Sequence, residues 1–397
     1  MQSLKKLYKI GHGPSSSHTM GPGFASEIIR KKHPDANRYV VTLYNSLALT
    51  GNGHLTDTIV TQTLAPIPVT FAYKIDIHKH PNHMVFEAYK DELLLDTIEV
   101  KSIGGGDILF GDQEHDIDDV YPEKTFDEIK AFCIARGYSL YEYAKHYEPD
   151  IDIFLTGIWR QIRRTVEKGL VSEGLLPGTL KVVRKAKVLI DRAKREETDT
   201  AKLIRLVSAY AFAASEENAA GGLIVTAPTC GASGVLPAVL YYLHKHREVR
   251  VKSIIEALAV AGVIGNVIKA NATISGAVGG CQAEVGSACS MTAAAHAYLS
   301  KLSLDQIEYA AEIAMEHFLG LTCDPIDGYV QIPCIERNAV AGIRAINASE
   351  LASFLSDTRK ISFDMIVRTM HQTGLDMHPK YKETAEAGMA YFYEHVK

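Results

Sequence analysis

Three cysteines in the last third of the chain stand at breaks in helical sequence. Cys281 follows two glycines and opens an Ala-rich stretch, Cys334 follows Pro333 and opens another, and Cys323 lies in the loop between them. The unpaired N–H groups and the dipole of a helix N-terminus favour a thiolate. A thiolate is the form of cysteine that binds metal, so these three residues are candidates for a common metal centre.

The same residues could instead be core, because a free cysteine behaves as a small buried hydrophobe. No C-x2-C pair is present, which argues against a structural zinc site. Cys289 follows Cys281 on the same predicted helix, about 12 Å further along its axis, so one compact site cannot easily use both. We interpret Cys289 as a core residue. Spacing alone leaves a metal site and a core role equally open for the other three.

A second candidate site is the loop G-H-G-P-S-S-S-H-T-M-G-P at residues 11–22. Hydroxyls and helix N–H groups can both donate to a carboxylate or phosphate. A capped, solvated N-terminal loop would have the same composition. Pyridoxal phosphate is a competing ligand for such a loop, although no lysine stands out as its Schiff-base partner. The candidate side chains are Ser15, Ser16, Ser17, His18 and Thr19.

Two glycine-containing loops are further candidates. The segment G-N-G-H-L-T-D at residues 51–57 separates a predicted strand from a predicted helix, so His54 would project from a loop edge. A histidine in a loop is more often a surface residue than a base, which makes this signal weak by itself. The segment S-I-G-G-G at 102–106 would let the backbone approach a neighbour closely, such as the other domain.

The elements that must position these residues divide the chain into two parts. Residues 1 to about 120 are predicted to form a small α/β domain, with helices over Phe24–Lys32 and Thr56–Leu64, and a hairpin turn is predicted at Lys90-Asp91. A polar, acidic segment at 111–124 is typical of a linker. The predicted strands, rich in β-branched and aromatic residues, are Tyr39–Ser46, Ile67–His78, Met84–Tyr89 and Leu93–Lys101.

From Thr125 onward helical periodicity dominates, so the predicted fold class is α+β. We assign 121–165 to the linker and leading helices, and 166–397 to a larger all-α catalytic domain. In one helix, Ser303 and Gln306 form a capping box and Gly320 suits the C-cap. The long helical stretches are Leu203–Ala214, Ser253–Lys269, Gln282–Leu299, Ser303–Leu319 and Ile335–Ile346.

Composition limits the functional classes. The 397 residues are 47% hydrophobic and 22% charged, with a net charge of −5, which gives no reason to expect nucleic acid or an anionic membrane as partner. No cationic stretch leads into an apolar run at the N-terminus, and Ala257–Gly265 is too short to span a bilayer. Six cysteines in so long a chain do not resemble a secreted disulfide framework. We therefore predict a cytoplasmic protein.

Taken together, the motifs resemble the iron–sulfur-dependent L-serine dehydratases, also called L-serine ammonia-lyases, in their single-chain form. The similarity covers nearly the whole chain in the same order, and the motifs are long and distinctive. The N-terminal part contributes GPSSSHTMGP, SLALTGNGHLTD and SIGGG. The helical part contributes APTCGASGVLPAVL (227–240), NATISGAVGGCQAEVGSACSMTAAA (271–295) and DPIDGYVQIPCIERNAVAGIRAINAS (324–349).

The resemblance implies a [4Fe-4S] cluster on Cys281, Cys323 and Cys334, with one iron open to substrate. It implies that His54 is the base that removes the Cα proton, and that the loop Ser15–Thr19 grips the carboxylate or amine of L-serine. The implied products are pyruvate and ammonia, in amino-acid degradation and gluconeogenesis. A homodimer formed through the small domain is expected.

Four further residues near the cysteines in sequence have two alternative roles. Arg337 and Asn338 follow Cys334 and could contact substrate or cluster, or could form a structural salt bridge and a helix hydrogen bond. Asn271 and Ser275, upstream of Cys281, have the same two alternatives. All four are candidates for substrate binding or structural support.

The chain departs from the family pattern at its end. Some single-chain members end in a cysteine that folds back onto the open iron, whereas this chain ends Glu394-His395-Val396-Lys397. We predict that water, substrate or His395 fills that position. Cys230 stands where relatives often carry asparagine, which could alter specificity. The rival functions are a lyase acting on L-threonine or L-cysteine, and a non-catalytic iron–sulfur redox sensor.

Overall fold

The structure, a computed structural model, describes residues 1–51, 53–111, 119–192, 197–355 and 359–395. Asn52 of the G-N-G-H segment, residues 112–118 of the predicted linker and the last two residues lie outside this range. A small mixed sheet with its helices comes first in the chain and a larger helical region follows, so the predicted α+β class is confirmed.

The sheet has five strands in the order β3-β2-β4-β5-β6, of which only β2 and β3 are parallel. Alternate residues of β2, β4 and β5 are buried on one face, as in a sheet that packs on one side only. The helices α1 and α3 cover that face with residues such as Ile29 and Val60. The elements are α1 Gly21–Lys32, β2 Arg38–Tyr44, α2 Ser46–Thr50, α3 Thr56–Leu64, β3 Val69–Lys74, β4 His83–Lys90, β5 Leu93–Gly104 and β6 Asp107–Phe110.

The helical region is built around long, apolar helices with small side chains. The predicted capping box of Ser303 and Gln306 is confirmed, but the predicted C-cap is not: the helix ends at Glu316, and Gly320 adopts its positive φ of 79° in the turn beyond. The helices are α4 Phe126–Arg136, α5 Leu140–Tyr147, α6 Ile151–Val171, α7 Ala186–Asp191, α8 Asp199–Ala219, α9 Val235–His246, α10 Val251–Asn271, α11 Gly276–Gly279, α12 Ser287–Leu299, α13 Leu304–Glu316, α14 Cys334–Leu355, α15 Phe363–Asp376 and α16 Gly388–His395.

Helix α10 is the one helix in the described ranges that is long and apolar enough to cross a membrane by length and composition. In this protein 78% of its apolar window is buried against the rest of the chain. A helix that is hydrophobic all round is expected at the centre of a large core as well as in a bilayer. Its burial here is that of a core helix.

Several contacts join the N-terminal part to the helical region. Leu4 and Leu7 belong to the helical core, where Gly262 and Gly265 of α10 leave room for them. A short strand that the sequence did not suggest, β1 Ile10–His12, pairs antiparallel with β7 Leu223–Val225 beyond α8. The serine-rich loop begins directly after β1, so this pairing fixes it against the helical region. The division at residues 120 and 165 stays a prediction.

The glycine-rich turn between β5 and β6 also meets the helical region. A Cβ added to Gly104 would lie 3.0 Å from Cβ of Ser275, and one added to Gly105 would lie 2.9 Å from Cδ1 of Ile274. Both glycines have positive φ, so the turn requires them conformationally as well. The close approach predicted for S-I-G-G-G is therefore to the other part of the chain.

Candidate active site

The three candidate cysteines come from three separate segments and line one buried cavity. Cys281 is the N-cap residue of the π-helical turn Gln282–Gly286, which runs directly into α12, and Cys334 is the first residue of α14. Cys323 lies in the loop after α13, where its backbone pairs with Tyr381 and Glu383. All three are buried. The convergence predicted from their positions at helix breaks is present in the fold.

The cavity is small, with about 20 Å³ open to the centre of a water-sized molecule. On its wall, Sγ of Cys281, Sγ of Cys323 and a carboxylate oxygen of Glu284 all lie within 4.8 Å of one another. Soft thiolate donors of this kind suit iron, zinc and iron–sulfur clusters. The full lining is Pro14, Ser15, His54, Gly231, Cys281, Glu284, Val285, Cys323, Pro325, Val330, Cys334 and Glu383.

The thiols are not equivalent in charge. A hydrogen bond from Cys323 and the nearby Arg337 cation lower the pKa of Cys281, although burial opposes this. The same hydrogen bond, together with burial, raises the pKa of Cys323, and burial raises that of Cys334. The pocket by itself therefore favours one thiolate. A bound metal centre supplies the positive charge that allows coordinating thiols to lose their protons together.

Arg337 combines the two roles that the sequence left open. Its Nη1 donates to the carbonyl oxygen of Thr322 at 2.7 Å, and its Nη2 lies 3.5 Å from Oδ1 of Asp324. Burial opposes its charge, but the facing thiolates, led by Cys281, raise its pKa above the usual value. Arg337 thus holds the Cys323 loop and is the cation nearest to the thiols.

His54 also lines the cavity and is almost fully buried between α2 and α3. Its Nδ1 lies 2.9 Å from the carbonyl oxygen of Thr50, which can only accept, so the proton is on Nδ1 and Nε2 carries a lone pair. The ring stacks on His18, with centroids 4.5 Å apart. Burial lowers the pKa of His54 to about 4, and burial together with His54 lowers that of His18 well below its usual value.

The serine-rich loop forms a π-helical turn, Ser16–Met20, that continues into α1. Ser15 caps it by accepting from the backbone N–H of His18, and it lines the cavity. Thr19 donates to the carbonyl oxygen of His54 at 2.6 Å, so it positions the histidine segment. Ser16 and Ser17 are buried beside them. Both π-helical turns within the described ranges border this cavity, a placement frequent for such turns at functional sites.

Asn271 and Ser275 are placed differently from the cysteines. The Asn271 amide donates to the carbonyl oxygens of Lys124 and Val267 at the end of α10, away from the cavity lining. Ser275 is buried at the start of α11, against the β5–β6 turn. Asn338 is a structural residue in its contacts: it accepts from the N–H of Gly234 and donates to the carbonyl oxygen of Cys334.

Other sequence candidates lie outside the cavity. Cys289 donates to the carbonyl oxygen of Ala341 in the helical core, as predicted. His395 is exposed at the end of α16, where it stacks on Tyr391 with centroids 4.2 Å apart. His395 is not among the residues that line the cavity, and its role at the open metal position stays a prediction.

Two buried carboxylates in the cavity were missed by the sequence reasoning. Burial raises the pKa of Glu284 to about 7, and burial and the charge of Glu284 raise that of Glu383 well above its usual value. Glu284 had a detectable signal, since it lies three residues after Cys281 in a helical segment and so shares its face. Glu383 lies in an irregular C-terminal segment without any periodic signal.

Comparison with known proteins assigns both parts of the chain. The sequence model described as the serine dehydratase alpha chain matches residues 84–390, and that of the serine dehydratase beta chain matches residues 3–68. The chain is 39% identical over 450 residues to L-serine dehydratase 1 of Escherichia coli, covering 98% of this chain and 99% of that protein. It is 40% identical over 446 residues to the L-serine dehydratase of Streptomyces coelicolor, covering 98% of each.

Proposed function

The chain belongs to the serine dehydratase family, and we propose that it is an L-serine ammonia-lyase that converts L-serine to pyruvate and ammonia. The proposal rests on one observation: a buried histidine with a free Nε2 and three buried thiols line the same cavity. Loss of a β-hydroxyl requires a base at Cα and assistance to the leaving oxygen. His54 and the thiols offer these two functions to a small substrate in that cavity.

A [4Fe-4S] cluster held by Cys281, Cys323 and Cys334 is part of this proposal. The donor set fits such a group, because three thiols face a common buried space and no fourth cysteine lines it within the described part of the chain. Three cysteines leave one iron free of thiolate. When bound, the cluster would supply Lewis-acid assistance to the departing hydroxyl.

His54 is suited to removing the Cα proton. The hydrogen bond to the carbonyl oxygen of Thr50 fixes the tautomer, and burial keeps the ring neutral at pH 7, so Nε2 can accept a proton. A pKa of about 4 makes a weak base in the empty site. A carboxylate brought in by the substrate would favour the imidazolium and raise that pKa, so basicity rises when substrate is present.

The serine-rich loop is suited to the substrate carboxylate. The first N–H groups of a helical segment have no partner within it, and the dipole favours an anion there. Here that end is the turn that begins at Ser16, with the Ser15 side chain on the cavity wall. The substrate would thus lie with its carboxylate toward the N-terminal part and its hydroxyl toward the cysteines.

The test is to purify the protein anaerobically and to measure iron, sulfide and pyruvate formation before and after exposure to air. We expect about four iron and four sulfide per chain, as the composition of such a cluster requires, and turnover of L-serine that air abolishes. Substrate assays with L-threonine and L-cysteine separate the related lyases. A redox sensor would hold the cluster but form no pyruvate, and full activity in iron-free protein would refute the metal assignment.

Assembly and location are also proposals. We expect a homodimer in the cytoplasm, with L-serine as the small-molecule partner. Light scattering coupled to gel filtration measures the mass directly, against the 43.5 kDa of one chain. A mass of one chain at micromolar concentration would contradict the dimer.

A further inference from the structure

Glu383 is a buried carboxylate that its surroundings satisfy only in part, because the backbone N–H of Ala277 donates to it but one of its oxygens is left over. The residue is 5% exposed, and its Oε2 has no hydrogen-bond partner among the described residues. Among those residues, the basic group closest to it is His18, whose Nδ1 lies 4.0 Å from Oε2, too far for a hydrogen bond. A buried polar atom without a partner is costly, so Oε2 is expected to gain one when the site is occupied.

Backbone hydrogen bonds to distant segments and a rare backbone conformation hold Glu383 in place. Its N–H donates to the carbonyl oxygen of Cys323, whose own N–H donates to the carbonyl oxygen of Tyr381. The hydroxyl of Ser46 donates to the carbonyl oxygen of Glu383. The residue has a φ of 57°, in the left-handed region that glutamate rarely adopts. Strain of this kind at a non-glycine residue is found mostly at functional sites.

The carboxylate points into the cavity that the cysteines line. Its charge acts on Cys323 and Cys334, and it lies near Glu284. A Cβ added to Gly276 would lie 2.6 Å from Oε2 of Glu284 and 2.9 Å from Oε1 of Glu383, so two carboxylates converge where only glycine leaves room. Arg337 is the single cation that acts on this group of anions within the described residues.

We infer that Glu383 is the exchangeable ligand of the iron that no cysteine holds. The inference depends on the cluster assigned under the proposed function. Oε2 is the free donor atom, carboxylate oxygen is an accepted ligand for iron, and the tie to Cys323 fixes the residue beside a thiolate ligand. Glu383 holds that iron in the substrate-free enzyme and gives way when L-serine binds.

The test measures how well substrate-free protein retains the iron that no cysteine holds. Anaerobic protein is treated with ferricyanide, and electron paramagnetic resonance follows the appearance of the three-iron cluster. We compare the wild type with Glu383→Gln, which keeps the shape but is a poor ligand, and with Glu383→Asn, because asparagine tolerates positive φ well. Glu386→Gln is the matched control, since Glu386 is exposed in the same segment.

The expected result is loss of the fourth iron at least tenfold faster in both Glu383 variants and an unchanged rate in Glu386→Gln. Equal rates in all four proteins, with four iron and four sulfide present in each, would overturn the ligand role while the proposed function stands. A raised KM for L-serine without faster iron loss would likewise overturn it and assign Glu383 to the substrate ammonium. If the wild type holds no cluster, both this inference and the cofactor proposal fail.

Discussion

The pH dependence of turnover tests the assignment of His54 as the base. Burial depresses the pKa of His54 from 6.5 to about 4, so the free enzyme carries a neutral ring throughout the neutral range. At pH 6.0 a base with a pKa of 4 is about 99% neutral, whereas one with the ordinary value would be only about a quarter neutral. The acid limb of kcat/KM, which reports the free enzyme, should therefore be absent between pH 7.5 and 6.0.

Glu284 is the other group to control, because its pKa of about 7 falls inside this range. The assay is initial-rate pyruvate formation by anaerobic enzyme, measured for the wild type and for Glu284→Gln. Loss of a general base costs about 10²- to 10⁴-fold in rate, so His54→Asn should lower kcat by that range in both backgrounds. A fourfold fall of kcat/KM from pH 7.5 to 6.0 that persists in Glu284→Gln would refute the assignment of a buried, neutral His54.

Three further predictions concern stability and metal content. Burial lowers the pKa of His296, which contacts Ser349, from 6.5 to about 4. The unfolded chain therefore takes up the proton first, and the free energy of unfolding decreases as the pH falls. Urea titrations should show that His296→Gln loses about 2 kcal/mol less of this free energy than the wild type between pH 7.5 and 5.0. Gly280→Ala should lower folded yield and iron content, since φ is 72° and the added Cβ would meet a backbone carbonyl oxygen at 2.9 Å; normal iron content would contradict this. Cys334→Ser should lose most of its iron while Cys289→Ser keeps it, measured by metal analysis.

The convergence of the cysteines could be predicted in part because its signals are local. Glycine and proline before Cys281 and Cys334 mark helix starts, and both residues begin helical segments in the fold. No local signal in the sequence shows that these two helix starts lie close together in the fold. That inference came from the resemblance to a known family over nearly the whole chain. The strands of the small sheet were predicted for the same local reason, except for the four-residue β6 and the β1–β7 pair, which are too short to show alternation.

The part of the site that was not predicted depends on contacts between segments far apart in the sequence. Glu383 reaches the cavity because residues 381 and 383 bond to the backbone of Cys323, a contact across a long stretch of chain with no sequence signature. Asn271 shows the opposite error, in which closeness to Cys281 in sequence suggested a shared site. Helix α10 continues through Asn271 and directs its amide to Lys124 instead.

The site exists only where the two parts of the chain meet, and the contacts between them set its chemistry. His54 and Ser15 come from the N-terminal part, and the thiols come from the helical region. The β1–β7 pair and the Gly104 turn fix their separation, because any side chain at that turn would wedge the surfaces apart. Burial between two such surfaces keeps the imidazole neutral and makes a positive metal centre favourable beside the thiols. The same packing interface therefore surrounds both the proposed base and the proposed metal site.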